Sequence, residues 1–177
     1  MFKILRKNVN KFFSTLSIFT TVFILFTSSA FANKSQVKIF VSLSPAGSFT
    51  ATTSEISGAV SKLSDGSFEA KNISVQLKKL KSGMTLRDEH MTKKYLETDK
   101  YPEALLISAT GKNEKGEGLV KIKGIEKKIQ GSFQVLGSNL KATFNLKPSD
   151  FEIKGIRYMG VGVKDQIRVE ILLPINK

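Results

Sequence analysis

The sequence predicts an all-β fold, an antiparallel barrel with one short helical segment near residues 86–96. Three features carry that prediction: apolar residues alternate with polar ones at a period of two, thirteen glycines punctuate the chain, and one segment alone has a helical period. Side chains of a strand point to opposite faces in turn, so each alternating run has one dry face and one wet, lysine-bearing face.

The first 32 residues stand apart from this pattern. Lys3, Arg6, Lys7 and Lys11 precede an uncharged run, Leu16 to Thr27, and Ala30-Phe31-Ala32 fits a small-x-small cleavage box. That order is the order of a secretory signal peptide cut after Ala32. An uncleaved anchor is the competing reading, because Phe12 to Ala32 is free of charge and approaches the roughly 20 residues that span a bilayer; its Ser and Thr content and the cleavage box favour removal. Residues 33–177 are then expected as one exported domain.

Removing the signal alters the composition. The whole chain carries 28 Lys+Arg against 15 Asp+Glu, a charge of +13, and the loss of four bases leaves +9. All thirteen glycines stay with the mature part, and cysteine is absent throughout. Thiolate metal sites, cysteine nucleophiles and disulfide scaffolds are therefore excluded, and the single His90 excludes a two-histidine metal motif. Neither a metal nor another cofactor is expected. A domain of this size can bury a sufficient core without cross-links.

The strands follow in order. Ile73, Val75 and Leu77 alternate with Ser74, Gln76 and Lys78; Val120 and Ile122 with Lys121 and Lys123; Phe144 and Leu146 with Thr143, Asn145 and Lys147. Ile167, Val169, Ile171 and Leu173 repeat the pattern, broken only by Leu172. Closing such a set of about eight or more strands into a barrel removes the exposed edges of an open sheet. Between Thr85 and Glu97, Leu86, His90 or Met91, and Lys94 or Tyr95 share a helical face. Thr85 is the expected N-cap, with Asp88 and Glu89 in the first turn.

Several motifs reduce to structural readings. Gly116-Glu-Gly118 and Gly160-Val-Gly162 open no helix and read as hairpin or bulge glycines. Lysines 78, 79, 81, 121, 123, 127 and 128 read as a solvated outer face, since they lack interleaved aromatic platforms; nucleic acid is not an expected partner. His90 beside Asp88 and Glu89 reads as a structural or surface histidine, with no activated nucleophile near it in sequence.

One constellation is more specific. Gly83-Met-Thr-Leu-Arg-Asp-Glu-His-Met91 is followed by Tyr95-Leu-Glu-Thr-Asp-Lys-Tyr-Pro102 and an apolar strand from Ala104 to Ala109. Together with Gly118-Leu-Val-Lys-Ile-Lys-Gly124, Lys127-Lys128-Ile129, Leu146-Lys-Pro-Ser-Asp-Phe-Glu-Ile153 and Val163-Lys-Asp-Gln-Ile-Arg-Val-Glu-Ile171, it resembles the signature of the YceI-like polyisoprenoid-binding family. The similarity runs from about Gly83 to Leu173. It implies a lipocalin-like barrel in the periplasm, not catalytic, whose interior holds a polyisoprenoid or another long-chain lipid. The opening Val37 to Thr50 departs from the family pattern and suggests a shortened hairpin.

On that reading the cavity lining is Phe49, Ile73, Val75, Leu77, Leu105, Ile107, Val120, Ile122, Phe133, Val135, Phe144, Leu146, Ile167, Val169 and Ile171. A closed sheet so lined can enclose one narrow lipid, and a basic rim can receive an anionic head group. Arg87, with Asp88 and His90, is the head-group or structural motif: either Arg87 meets the head group, or it pairs with Asp88 or a nearby carbonyl. The alternative function is an envelope structural or interaction module, with a packed core and a basic surface that docks on anionic membrane or a partner. A hydrolase would require Asp88, Glu89 and His90 to converge in the cavity.

Overall fold

The computed structural model describes residues 35–176; the expected signal segment and its cleavage site lie outside the described residues. The strands are β1 (Gln36–Ser44), β2 (Ser48–Thr53), β3 (Ile56–Ser57), β4 (Val60–Lys62), β5 (Phe68–Gln76), β6 (Glu103–Lys112), β7 (Lys115–Ile122), β8 (Ile125–Leu136), β9 (Asn139–Leu146), β10 (Arg157–Tyr158) and β11 (Val161–Asn176). A helix, α1 (Thr85–Glu89), continues into a π turn over His90–Tyr95. Thr85 is the first helical residue; the N-cap is Met84, without a side-chain cap bond.

Seven strands form a closed ring in the order β4-β5-β6-β7-β8-β9-β11. Tight turns explain the antiparallel run from β6 to β9; the helical segment bridges β5 and β6, and a longer segment that includes β10 bridges β9 and β11. The ring closes where β11 reaches β4, through Ile175↔Val60 and Asn176↔Ser61. That contact is parallel, so the expected purely antiparallel sheet has one exception, two residue pairs long.

β11 is the organising strand. One edge pairs with β9 from Ile167↔Leu146 to Pro174↔Asn139; the other pairs with β1 from Ser44↔Gly162 to Gln36↔Leu172 before β4 takes over. β2 continues the sheet beyond β1. Its outer edge is tied to the chain after β5 by Thr52 and Lys81, whose backbone N–H groups each donate to the other's carbonyl at 2.8 and 2.9 Å. β1 and β2 therefore fill at one end of the barrel the gap that β3 and β4 fill at the other.

The floor lies near the C-terminal end of β11. Phe133 and Phe68 meet edge to face, with centroids 5.4 Å apart and rings at 69°, in a buried cluster with Val60, Ala70, Leu140 and Leu173. A Cβ on Gly111 would lie 2.6 Å from Phe133 Cε1, so a residue without a side chain makes room for the ring. Among the described residues, no helix is long and apolar enough to cross a membrane.

Candidate functional site: an apolar cavity with a polar mouth

Above this floor the barrel encloses a cavity of about 570 Å³, within the roughly 300–1,000 Å³ typical of small-molecule sites. Its interior is not the packed core of the alternative reading. The walls come from every face of the barrel: Val37, Ile39, Val41 and Leu43 from β1; Ile73 and Val75 from β5; Val120 and Ile122 from β7; Phe144 and Leu146 from β9; Val163, Ile167, Val169 and Ile171 from β11. Phe49, Leu77 and Leu105 also line it.

Three expected lining residues lie elsewhere. Ile107 falls in the register shift of β6 between Leu106 and Ser108 and has no partner in β7; the bulge turns Leu106, opposite Val120, to the cavity instead. Phe133 is buried, but in the floor. Val135 is 49% exposed: the β7 pairing ends at Ser132, so beyond it β8 pairs only with β9 as a two-stranded extension of the wall.

Four lining residues bear nitrogen or hydroxyl groups: Arg87, His90, Tyr95 and Arg157. The first three project from one helical segment, and Tyr95 reaches the fourth: its hydroxyl accepts from Arg157 N at 3.3 Å and lies 3.4 Å from Arg157 O. The polar groups thus gather at one place. Met84, Leu86, Met159 and Val161 line the cavity there yet remain exposed, which marks the mouth.

The helical segment is anchored by Ser82. Asp88, buried, accepts from Ser82 N at 2.7 Å and from the Ser82 hydroxyl. Arg87 Nε donates to Ser82 Oγ at 2.8 Å, and Nη2 donates to Ser82 O at 2.7 Å. The guanidinium also covers the Phe49 ring. Arg87 therefore meets a backbone carbonyl, while Ser82 stands between it and Asp88. Glu89 is exposed and is not part of the wall. Asp88, Glu89 and His90 do not converge as a hydrolytic site requires.

Two clamps hold the mouth from outside. Lys123, expected on the wet face, is largely covered and pairs with Glu97 just after the helical segment, holding that carboxyl below its ordinary value. Ser149 donates through its backbone N–H, at 2.9 Å, and its hydroxyl to Asp165, lowering that carboxyl too. This fixes the 3₁₀ turn Pro148–Phe151, which places Pro148, Phe151 and Ile153 in the wall. Among the described residues there is no cluster of three or more His, Cys, Asp or Glu that could hold a metal.

The YceI-like domain profile matches residues 27–174. The chain belongs to the YceI-like domain family. Two solved structures share the YceI-like barrel. BcnA from Burkholderia cenocepacia is 15% identical, with a TM-score of 0.59 over 79% of this chain and 95% of that one. A polyisoprenoid-binding domain from Saccharophagus degradans, implicated in plant cell wall breakdown, is 14% identical, with a TM-score of 0.55 over 80% and 92%. A comparison with curated proteins finds no match. At these identities the likeness establishes the fold, and the YceI-like chain's own residues must carry any reading of its cavity.

Several wall residues escape a reading of alternation alone. Val37, Ile39, Val41 and Leu43 do alternate with Lys38, Phe40, Ser42 and Ser44, a readable signal complicated by an aromatic on the outer face. Phe40 sits there because Arg168 on β11 covers its ring at 4.2 Å. Phe151 comes from a 3₁₀ turn, Ile156 from the loop after it and Arg157 from the two-residue strand β10, all too short to carry a periodic signal.

Proposed function

We propose that this chain carries or sequesters a polyisoprenoid or similar long-chain lipid, without covalent chemistry, as an exported protein of the periplasm. The observation that carries the proposal is the distribution of polarity: an apolar interior of about 570 Å³ with Arg87, His90, Tyr95 and Arg157 collected at its mouth. Such a gradient suits a ligand with a hydrocarbon tail and one polar end. Family membership and the polyisoprenoid-binding neighbour support the same ligand class. The basic, cleavable character of residues 1–32 supports export.

The magnitudes suffice. Each buried methylene contributes about 0.8 kcal/mol, so a few isoprene units offset the ordering cost of binding and reach micromolar affinity. The volume accommodates a short run of units, and a longer chain extends through the mouth. Organic extraction of natively purified protein, followed by mass spectrometry, tests the proposal. A stoichiometric long-chain lipid is expected; protein that yields none and also refuses polyprenyl and fatty-acyl probes contradicts it.

A further inference from the structure

The mouth is costly in the form the structure gives it. Met159 is 85% exposed, Met84 55%, Leu86 45% and Val161 38%, and all four are continuous with the cavity wall. Met159 also has the wrong backbone for its side chain. It shares with Gly160 the two-residue turn that joins β10 to β11, where Tyr158 pairs with Val161, and its φ is +47° beside +80° at Gly160. Left-handed conformations at both central positions define the hairpin turn that favours Asn-Gly. A methionine there meets both a conformational penalty and exposure to water.

Positive charge surrounds this apolar tip. From Lys154 to Lys164 the chain carries Lys154, Arg157 and Lys164 and no acid. The helical side carries Lys81, Arg87, Lys93 and Lys94 against Asp88, Glu89 and Glu97; Asp88 is buried under Ser82 and Glu97 is paired with Lys123. Lys94 Nζ lies 5.3 Å from the Tyr95 ring centroid, and Tyr95 contacts the Arg157 backbone, so Lys94 and Arg157 flank the mouth together. Asp150 and Glu152 are the acids of the adjoining turn, and Asp165, next to Lys164, is taken up by the two hydrogen bonds from Ser149.

We propose that the mouth docks on the anionic face of a phospholipid bilayer, with Met159, Met84, Leu86 and Val161 entering the interfacial layer and Lys94, Arg157 and Lys164 meeting lipid phosphates. The inference rests on the lipid-carrier reading and adds where the ligand crosses between bilayer and barrel. Stable peripheral binding takes an apolar insertion and a basic surface together, and this mouth has both. Docking mouth-down also lets a lipid tail pass from bilayer to cavity without crossing water.

Co-sedimentation of protein purified from cells with vesicles of phosphatidylcholine, alone or equimolar with phosphatidylglycerol, tests the docking. Binding is expected to the mixed vesicles and to fall with added salt. Met159→Asn is expected to weaken it about tenfold while leaving thermal stability unchanged or raised, since asparagine suits the turn. Lys94→Gln is expected to weaken it about fivefold. Val135→Asn changes an equally apolar exposed site near the other end of β11 and should have no effect. Absence of binding, or equal losses from Met159→Asn and Val135→Asn, would overturn the proposal. Uptake of polyprenol from detergent is measured separately: uptake without vesicle binding removes the docking and leaves the carrier, whereas vesicle binding without uptake removes the carrier and leaves the docking.

Discussion

The Arg87 guanidinium carbon stands 4.2 Å from the centroid of the Phe49 ring, joining the helical segment at the mouth to strand β2 across the edge of the cavity. With Nε and Nη2 both donating to Ser82, the side chain is fixed on three sides, and its first role is to hold the mouth in shape.

Arg87→Ala should therefore lower stability by about 1–3 kcal/mol, through the two lost hydrogen bonds and the unpaired Ser82 carbonyl, with about 0.5–1 kcal/mol more from the ring contact. Urea denaturation measures the change. Arg87→Lys should not restore it, because an ammonium cannot present two donors in a fixed plane or stack on Phe49. Loss of lipid affinity with unchanged stability would instead make Arg87 a head-group contact.

Filling the cavity should separate folding from binding. Val169 faces the cavity from the middle of β11. Val169→Phe should displace roughly two methylenes' worth of ligand and weaken probe binding more than tenfold, at less than the roughly 1–3 kcal/mol stability cost expected of a packed core. Paired probe titration and thermal melts report the two effects.

The floor makes a coupled prediction. Gly111→Ala brings a methyl group against Phe133 Cε1 and should cost about 1–3 kcal/mol. In a Phe133→Leu background the same change should cost much less, so the two substitutions are non-additive. Strict additivity in a double-mutant cycle would show that Gly111 is not there for the ring.

Acid should loosen the mouth. The Ser149 hydrogen bonds hold the Asp165 carboxyl below its ordinary 3.8, and Lys123 holds Glu97 below 4.5; at the β4–β5 turn, Ser67 brings Asp65 down to about 2. A depressed folded value adds stability above the unfolded value and loses it as pH falls through the folded one. Stability should thus be level near neutrality and decline below the ordinary carboxylate range, with Asp65 titrating near the end. Asp165→Asn should remove part of that decline. Hydrogen exchange at the Ser149 to Phe151 amides against pH is the readout, and protection that does not fall on acidification contradicts the assigned clamp.

Much of the barrel was legible because its physics is local. Alternation at Ile73–Leu77, Phe144–Leu146 and Ile167–Ile171 is set by the strand's own period, and a buried face requires it. The helical segment was legible by its different period, although its widening into a π turn was not. What alternation could not supply is whatever depends on neighbours: the bulge that displaces Ile107, the overrun of β8 that exposes Val135, and the glycine that lets Phe133 seal the floor. The mouth was least legible. Arg157 and Phe151 reach it through Tyr95 and Asp165, which lie far from them in sequence, and an unfilled volume belongs to no single residue.

The most direct test is native mass spectrometry of delipidated protein offered a polyprenol in non-ionic detergent, alongside Val169→Phe. A single bound lipid on the wild-type chain, lost from the variant while both stay folded, is the expected result. A folded wild-type chain that binds no polyprenol, or a variant that binds it equally well, would contradict a lipid-carrying cavity.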